Sequence, residues 1–283
     1  MPITKVGVVG CGQMGSGIAE VSIRAGYNVI VSEVNKEFLD RGMAAIKNSL
    51  AMVVERGRMK QEEMNGALTR LQGTVSLDDF KDCNLVIEAA TENMEIKKQT
   101  FAMLDKVCPP ETILASNTSC LSIVDIAIAT RRPALVLGMH FFNPVQMMRL
   151  MELVKSILTS DETLAIARKF GESVGKTVIV APDAPGFVVN RLLVPYLLDA
   201  IHMLDAKVSS KEDIDQGMVM GCNHPMGPLT LADYIGLDTL LYIADAMYQE
   251  YKAPPFAAPP LLRKMVVAGE LGRKTKKGFY NYG

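Results

Sequence analysis

Over its first two thirds the chain alternates short apolar runs with longer amphipathic stretches, which predicts strands and helices in turn. Lys5–Val9 is small and β-branched, the texture of a buried parallel strand. Ile18, Ala19 and Val21 then continue as one face of a helix, and Asn28–Ser32 reads as a second strand. From Lys36 to about Arg56 the period is helical, with Met43, Ile46, Leu50, Val53 and Val54 on one face. Gly57 breaks that helix, and Gln61–Leu71 restarts as another. The pair (about 36–72) is either a projecting arm or a long crossover, and periodicity does not separate the two. Further strands are expected at Val75–Leu77, Asn84–Glu88, Thr112–Ser116, Leu135–Phe141, Met151–Val154 and Thr177–Val180. Helices are expected over Met94–Val107, Ser122–Ala129 and Asp161–Val174. The repeated strand–helix order predicts an α/β fold with a doubly wound, mostly parallel sheet.

The texture changes at Pro182-Asp183-Ala184-Pro185-Gly186. A long helix is expected from Phe187 to about Ala206, kinked at Pro195. Ser209–Asp213 starts another by N-capping, and the turn Asn223–Pro228 introduces at least two more. No strand signal survives past residue 181, so 184–283 reads as an all-helical second domain behind a sheet domain of 1–183. Ala253–Pro260, with four prolines, reads as a loop.

Composition narrows the picture. A chain of 283 residues is long for one core, and 49% hydrophobic with 22% charged residues is globular, not disordered. A net charge of −1 gives no electrostatic footprint for nucleic acid. No apolar run is long enough to span a membrane. The N-terminal apolar run is short, glycine-broken and already used as a strand, so the expected place is cytoplasmic, without a secretory signal. Five cysteines never spaced C-x-x-C, with three scattered histidines, predict reduced buried thiols and no metal cluster.

The first strand leads into Gly10-Cys11-Gly12-Gln13-Met14-Gly15, a G-x-G-x-x-G turn placed between strand and helix. The first glycine allows the tight turn, the second lets a pyrophosphate approach bare backbone, and the third lets helix and strand pack closely. Phosphates then meet the unpaired N–H groups at the positive end of the helix. Glu33 ends the second strand 18 positions beyond Gly15, where a carboxylate binds the ribose hydroxyls of a dinucleotide. The fold is therefore Rossmann-type, with a dinucleotide site on the sheet domain. An acid at that position favours NAD over NADP. Val34 and Asn35 are neutral, and a lone lysine, Lys36, is a poorer phosphate clamp than an arginine.

Ligands of such sheets sit beyond the carboxyl ends of the strands. Ser119 follows one expected strand, His140 lies near the end of the next, and Glu152 falls in the one after. Asn190 stands in the first turn of the long helix that opens the second domain. One imidazole, one carboxylate, one hydroxyl and one amide suffice for alcohol–ketone interconversion. His140, flanked by apolar residues, also reads as a hydrogen-bonded core residue. His202 reads as a surface residue and His224 as a loop-stabilising donor.

Six stretches carry a resemblance: Val9-Gly-Cys-Gly-Gln-Met-Gly-Ser-Gly17, Ala115-Ser-Asn-Thr-Ser119, Gly138-Met-His-Phe-Phe-Asn-Pro144, Pro185-Gly-Phe-Val-Val-Asn-Arg191, His224-Pro-Met-Gly-Pro228 and Lys276-Lys-Gly-Phe-Tyr280. Through them the whole chain resembles the 3-hydroxyacyl-CoA dehydrogenase family. The resemblance implies NAD-dependent interconversion of (S)-3-hydroxyacyl-CoA and 3-oxoacyl-CoA, on short acyl chains and without a metal. It makes His140 the general acid/base, Glu152 its orienting carboxylate, and Ser119 and Asn190 hydrogen-bond donors to the substrate. On the cofactor side it implicates Gly10–Gly15, Glu33, Glu92, Lys97, Asn143 and Lys274. For the coenzyme A tail it points to Ser49 and Arg56, and it implies a homodimer through the helical domain. Two positions depart from the family pattern. Cys120 stands where a second serine is usual, and Met52 and Glu55 stand on a helix that is often lysine-rich, which lowers the positive charge offered to coenzyme A phosphates.

Other dehydrogenases of 3-hydroxy acids share the two-domain plan but generally use lysine as the acid/base, and Gly186–Val194 holds Asn190 and no lysine. A sugar-acid dehydrogenase, and a crystallin-like NAD-binding protein without turnover, are the alternative readings.

Overall fold

The structure is a computed structural model describing residues 2–283. Two compact units divide it, one running to Asp183 and the other comprising Ala184–Gly283. The first unit is built from β1 (Lys5–Val9), α1 (Gln13–Arg24), β2 (Asn28–Ser32), α2 (Lys36–Glu55), α3 (Gln61–Leu68), β3 (Leu71–Thr74) and β4 (Leu85–Glu88). It continues with α4 (Met94–Val107), β5 (Ile113–Ser116), α5 (Ile123–Ala127), β6 (Val136–Phe141), β7 (Leu150–Lys155), α6 (Asp161–Ser173) and β8 (Thr177–Pro182).

The eight strands form one sheet in the order β3-β2-β1-β4-β5-β6-β7-β8. β1 to β6 are parallel, β7 runs against β6, and β8 runs with β7. Every residue of β4, β5 and β6 is buried, because helices cover both faces of a parallel sheet. The strand order reverses at β1, which lies between β2 and β4. The loops after β1 and β4 thereby flank the crevice where such sheets take ligands.

Between β2 and β3 the chain departs from expectation. The strand expected at Val75–Leu77 is instead Leu71–Thr74, and Leu77–Phe80 is a 3₁₀ turn capped by the Ser76 hydroxyl. Leu71 reads as the last apolar position of a helix, but α3 stops at Leu68 and Leu71 pairs with Val29 at the sheet edge. A four-residue edge strand containing a glycine has almost no period-2 signal to detect. α2 and α3 are the β2–β3 crossover. The Asn35 side chain accepts from Phe38 N–H at 2.9 Å to start α2, and Leu39, Gly42, Ile46 and Leu50 form its buried stripe.

At the far end of α4, Asp105 clasps two arginines. Its carboxylate accepts from Arg131 Nε (3.0 Å), Arg131 N–H (3.2 Å) and Arg132 Nε (2.7 Å). Arg132 also donates to the carbonyls of Asp105, Cys108 and Pro109, which closes the helix end. Burial alone would raise the Asp105 carboxyl, but the arginine hydrogen bonds outweigh it and hold it below the usual carboxylate range. A carboxylate depressed on folding contributes stability above its unfolded value of ~3.9, and loses it as pH falls through the lower folded value. Asp105→Asn is expected to cost about 3 kcal/mol at neutral pH. The deficit should hold down to about pH 4 and shrink below it. Urea unfolding of both proteins across that range checks this; a deficit independent of pH would rule out the carboxylate charge.

The second unit packs α7 (Val189–Asp205), α8 (Lys211–Cys222), α9 (Pro228–Ile235), α10 (Leu237–Tyr251) and α11 (Pro260–Val267) around Leu197, Ile201, Leu229, Leu240, Met247 and Leu262. α7 continues through Pro195 as one helix. Two buried acids hold the unit's turns. Asp215 accepts from Leu229 N–H and Thr230 N–H, capping α9, while Asp233 accepts from Phe279 N–H and Tyr280 N–H and fixes the C-terminal segment. Among the described residues this unit holds no strand, and no helix of the chain is long and apolar enough to cross a membrane.

Candidate active site

The loop after β1 has the geometry a dinucleotide needs. Gly10 has φ +92°, and a Cβ there would lie 2.8 Å from the Ala90 Cα in the loop after β4. A Cβ on Gly15 would fall 1.8 Å from the Gly10 carbonyl oxygen, so α1 approaches β1 only because residue 15 has no side chain. Gly12 differs: nothing lies within 4 Å of where its Cβ would be. It is the N-cap of α1, makes no side-chain cap and is followed by no acid in the first turn. The first amides of α1, carried by Gln13 and Met14, therefore face an open, electropositive space suited to a pyrophosphate. Cys11 is buried, and burial first, then Glu33, pushes its thiol up to about 12, so it stays uncharged.

Glu33 is fixed to this loop. Its Oε1 accepts from Cys11 N–H at 2.7 Å and its Oε2 from Val34 N–H at 3.1 Å. Each oxygen keeps lone-pair capacity for a ribose hydroxyl. Lys36 is exposed and pairs with Asp40 at 2.9 Å.

Three strand ends away, β6 and β7 place the catalytic candidates side by side. Antiparallel pairing sets His140 opposite Glu152, and His140 Nδ1 lies 2.7 Å from Glu152 Oε2. The pair is enclosed, with His140 7% and Glu152 0% exposed. Phe142 packs on the imidazole at 4.6 Å between ring centroids. His140 is thus a buried, hydrogen-bonded histidine, and its partner is a carboxylate.

After β5, Asn117 Oδ1 accepts from Phe141 N–H at 2.9 Å, tying this loop to the residue beside His140. Glu92 then organises the next turn. Its Oε1 accepts from Thr118 Oγ1 (2.5 Å), Ser119 N–H (2.9 Å) and Ser119 Oγ (3.3 Å). A hydroxyl has one proton, so Ser119 donates to Glu92 or to a substrate oxygen; at 3.3 Å its bond to Glu92 is long and exchangeable. Cys120 also contacts Glu92, through sulfur at 3.8 Å.

Lys97 sits 2% exposed with its ammonium 2.6 Å from Glu88 and 3.6 Å from Glu92. Glu88 ends β4 as Glu33 follows β2, an acid closing an apolar strand. Sequence reading passed over it as strand; its likeness to Glu33 was the available signal. Asn117, inside the Ser-Asn-Thr-Ser stretch, was also unassigned.

The remaining expected residues lie elsewhere. Asn143 is exposed and joined to Pro144 by a cis peptide bond. Ser49 and Arg56 stand seven positions apart on α2 and its C-cap, hence on one face and about 10 Å apart along the axis. Met52 and Glu55 are exposed on the same helix. No hydrogen bond or ion pair joins Ser49 or Arg56 to the strand-end residues among those described. Asn190 lies in the first turn of α7, and Lys274 pairs with Asp238; both belong to the second unit. No group of three or more His, Cys, Asp or Glu side chains that could hold a metal occurs among the described residues.

Comparison with known proteins follows the same division. The sequence profile "3-hydroxyacyl-CoA dehydrogenase, NAD binding domain" matches residues 5–184, and "3-hydroxyacyl-CoA dehydrogenase, C-terminal domain" matches 186–282. The chain is 49% identical over 282 residues to a 3-hydroxybutyryl-CoA dehydrogenase of Mycobacterium tuberculosis (strain CDC 1551 / Oshkosh), covering 99% of each. It is 46% identical over 280 residues to one of Bradyrhizobium diazoefficiens, covering 99% of this chain and 96% of that protein. Among solved structures, the (S)-3-hydroxybutyryl-CoA dehydrogenase from Ralstonia eutropha superposes with a TM-score of 0.97 at 42% identity, covering 99% of both chains.

Proposed function

Since the chain belongs to the 3-hydroxyacyl-CoA dehydrogenase family, we propose that it interconverts (S)-3-hydroxybutyryl-CoA and acetoacetyl-CoA with NAD, using His140 as general acid/base. The 2.7 Å contact between His140 Nδ1 and Glu152 Oε2 at the ligand-facing end of the sheet carries this reading. The open amides of α1, the bare backbone at Gly12 and the fixed carboxylate of Glu33 fit a dinucleotide. NAD, when bound, supplies the hydride acceptor for oxidation and, reduced, the donor for the reverse reaction.

In oxidation His140 takes the proton of the 3-hydroxyl at Nε2, the ring atom facing away from Glu152. Glu152 holds the ring through Nδ1 and stabilises the imidazolium that forms. In reduction His140 returns that proton to the new hydroxyl. Ser119 turns its hydroxyl from Glu92 to the substrate oxygen, which helps fix C3 for reaction. Asn190 as a second donor, Asn143 and Lys274 on the cofactor side, and Ser49 and Arg56 for coenzyme A are carried on the resemblance alone. Loss of NADH absorbance on adding acetoacetyl-CoA tests the whole reading; binding of NADH without oxidation would sink it in favour of a non-catalytic NAD-binding protein.

The same reading includes a homodimer through the helical unit. Met203 on α7 and Met220 on α8 are exposed there, and a mainly apolar cavity of about 280 Å³ opens beside Met203, Met218 and Tyr196. Sedimentation equilibrium should give twice the 30.9 kDa chain mass, and Met220→Glu should shift it toward one. A monomeric wild type would refute this. A cytoplasmic place fits five free cysteines, four of them buried; recovery of the protein outside the cytosol on cell fractionation would contradict it.

A further inference from the structure

The residues at the end of β4 extend the proposed site inward. Glu88 is 1% exposed and its carboxylate is fully engaged: Oε1 accepts from Ala90 N–H (2.9 Å), and Oε2 accepts from Lys97 Nζ (2.6 Å) and Ser116 Oγ (2.8 Å). A buried carboxylate is costly unless paired and hydrogen-bonded, and here every contact leads toward the ligand-facing loops. Ala90 belongs to the loop that Gly10 must clear, and Ser116 ends β5, with its hydroxyl accepting from Thr118 N–H at 3.3 Å. Lys97, held by Glu88, lies 3.6 Å from Glu92 Oε2, while Glu92 Oε1 gathers Thr118 and Ser119. The main chain runs the same way, with Asn117 N–H donating to the Glu88 carbonyl at 2.8 Å.

We propose that Glu88 is a positioning residue: through Lys97 and Glu92 on one side and Ser116 on the other, it fixes the Thr118–Cys120 turn and so the direction in which Ser119 presents its hydroxyl. Glu88 touches neither Ser119 nor the reacting atoms. Its negative charge keeps the Lys97 ammonium in place, and without that ammonium Glu92 loses the cation that holds one of its oxygens while the other serves the turn. The effect on turnover rests on the proposed dehydrogenase reading; the effect on the turn does not, and the test separates them.

Glu88→Gln removes the charge while keeping an acceptor of nearly the same shape. Hydrogen exchange of the backbone amides of Ser119, Cys120 and Leu121 should accelerate roughly tenfold, while those of β1 and β5 keep their protection. With acetoacetyl-CoA and NADH, kcat should fall roughly 10- to 100-fold, the scale set by small misplacement of a reacting group. Glu88→Gln should add little to the loss already caused by Ser119→Ala, because both changes act through one hydroxyl. If Glu88→Gln proves unfolded, Glu88→Gln with Lys97→Met leaves neither charge uncompensated and puts the same exchange question. Unchanged exchange of the 119–121 amides, or protection lost uniformly across the sheet, would overturn the proposal, as would kinetic effects that simply multiply. If the wild type fails to oxidise NADH, the dehydrogenase reading falls, and the exchange result still decides the role of Glu88.

Discussion

Replacing His140 with alanine is expected to cut turnover of acetoacetyl-CoA about 100- to 10,000-fold while leaving NADH binding intact, because general acid/base contributions have that size. The side chain is 7% exposed and fixed by Glu152 and Phe142, so its ring stands in one place before substrate arrives. It contacts none of the Gly10–Gly15 loop residues by hydrogen bond, which is why the dinucleotide should not register its loss. Glu152→Gln should cost less than His140→Ala, since an amide keeps a hydrogen bond to Nδ1 and loses only the charge opposite the imidazolium. Steady-state rates and NADH fluorescence titrations on the two variants make the comparison. Near-normal turnover by His140→Ala would remove it from the chemistry. A variant that loses turnover and NADH binding together would show a collapsed site instead.

The second large effect is cofactor choice. Wild-type kcat/KM with NADH should exceed that with NADPH on the order of 100-fold, since a like-charge contact in a partly desolvated pocket costs several kcal/mol. Glu33 cannot swing away to relieve that repulsion without giving up the bonds from Cys11 N–H and Val34 N–H. Lys36, the one nearby cation in sequence, is turned to Asp40 on the exposed start of α2. Glu33→Gln should narrow the ratio chiefly by improving NADPH. Equal use of the two cofactors by the wild type would show that another group outweighs Glu33.

Much of this architecture was legible from one sequence. Where an element is long or wholly apolar the reading was close: β1 and β2 fall where expected, and β4, β5 and β6 are off by a residue at their starts. β3 was displaced because a half-exposed edge strand takes its conformation from β2 beside it, not from its own pattern. That α2 and α3 join neighbouring strands became visible only with β3 beside β2. The carboxylate that follows β2 stood out through its spacing from the glycines. The one that closes β4 was missed, because inside an apolar run an acid carries no mark of the partners it will have.

By itself, then, the sequence determined the strand–helix alternation, the glycine turn after β1, the change to helices near residue 183, and the residue types at the strand ends. These are local properties, set by side-chain periodicity, by backbone positions that only glycine can occupy, and by spacing along one chain. Tertiary structure alone decided which of those residues meet. His140 and Glu152 are twelve positions apart, and only the antiparallel register of β6 and β7 makes them partners. Glu92 lies 27 positions from Ser119, and Glu88 lies 28 from Ser116; strand order brings each pair within bonding distance. A buried charge is tolerated only where the fold delivers its counter-charge and donors, so the Glu88–Lys97 pair is a consequence of packing that no pattern along the chain encodes.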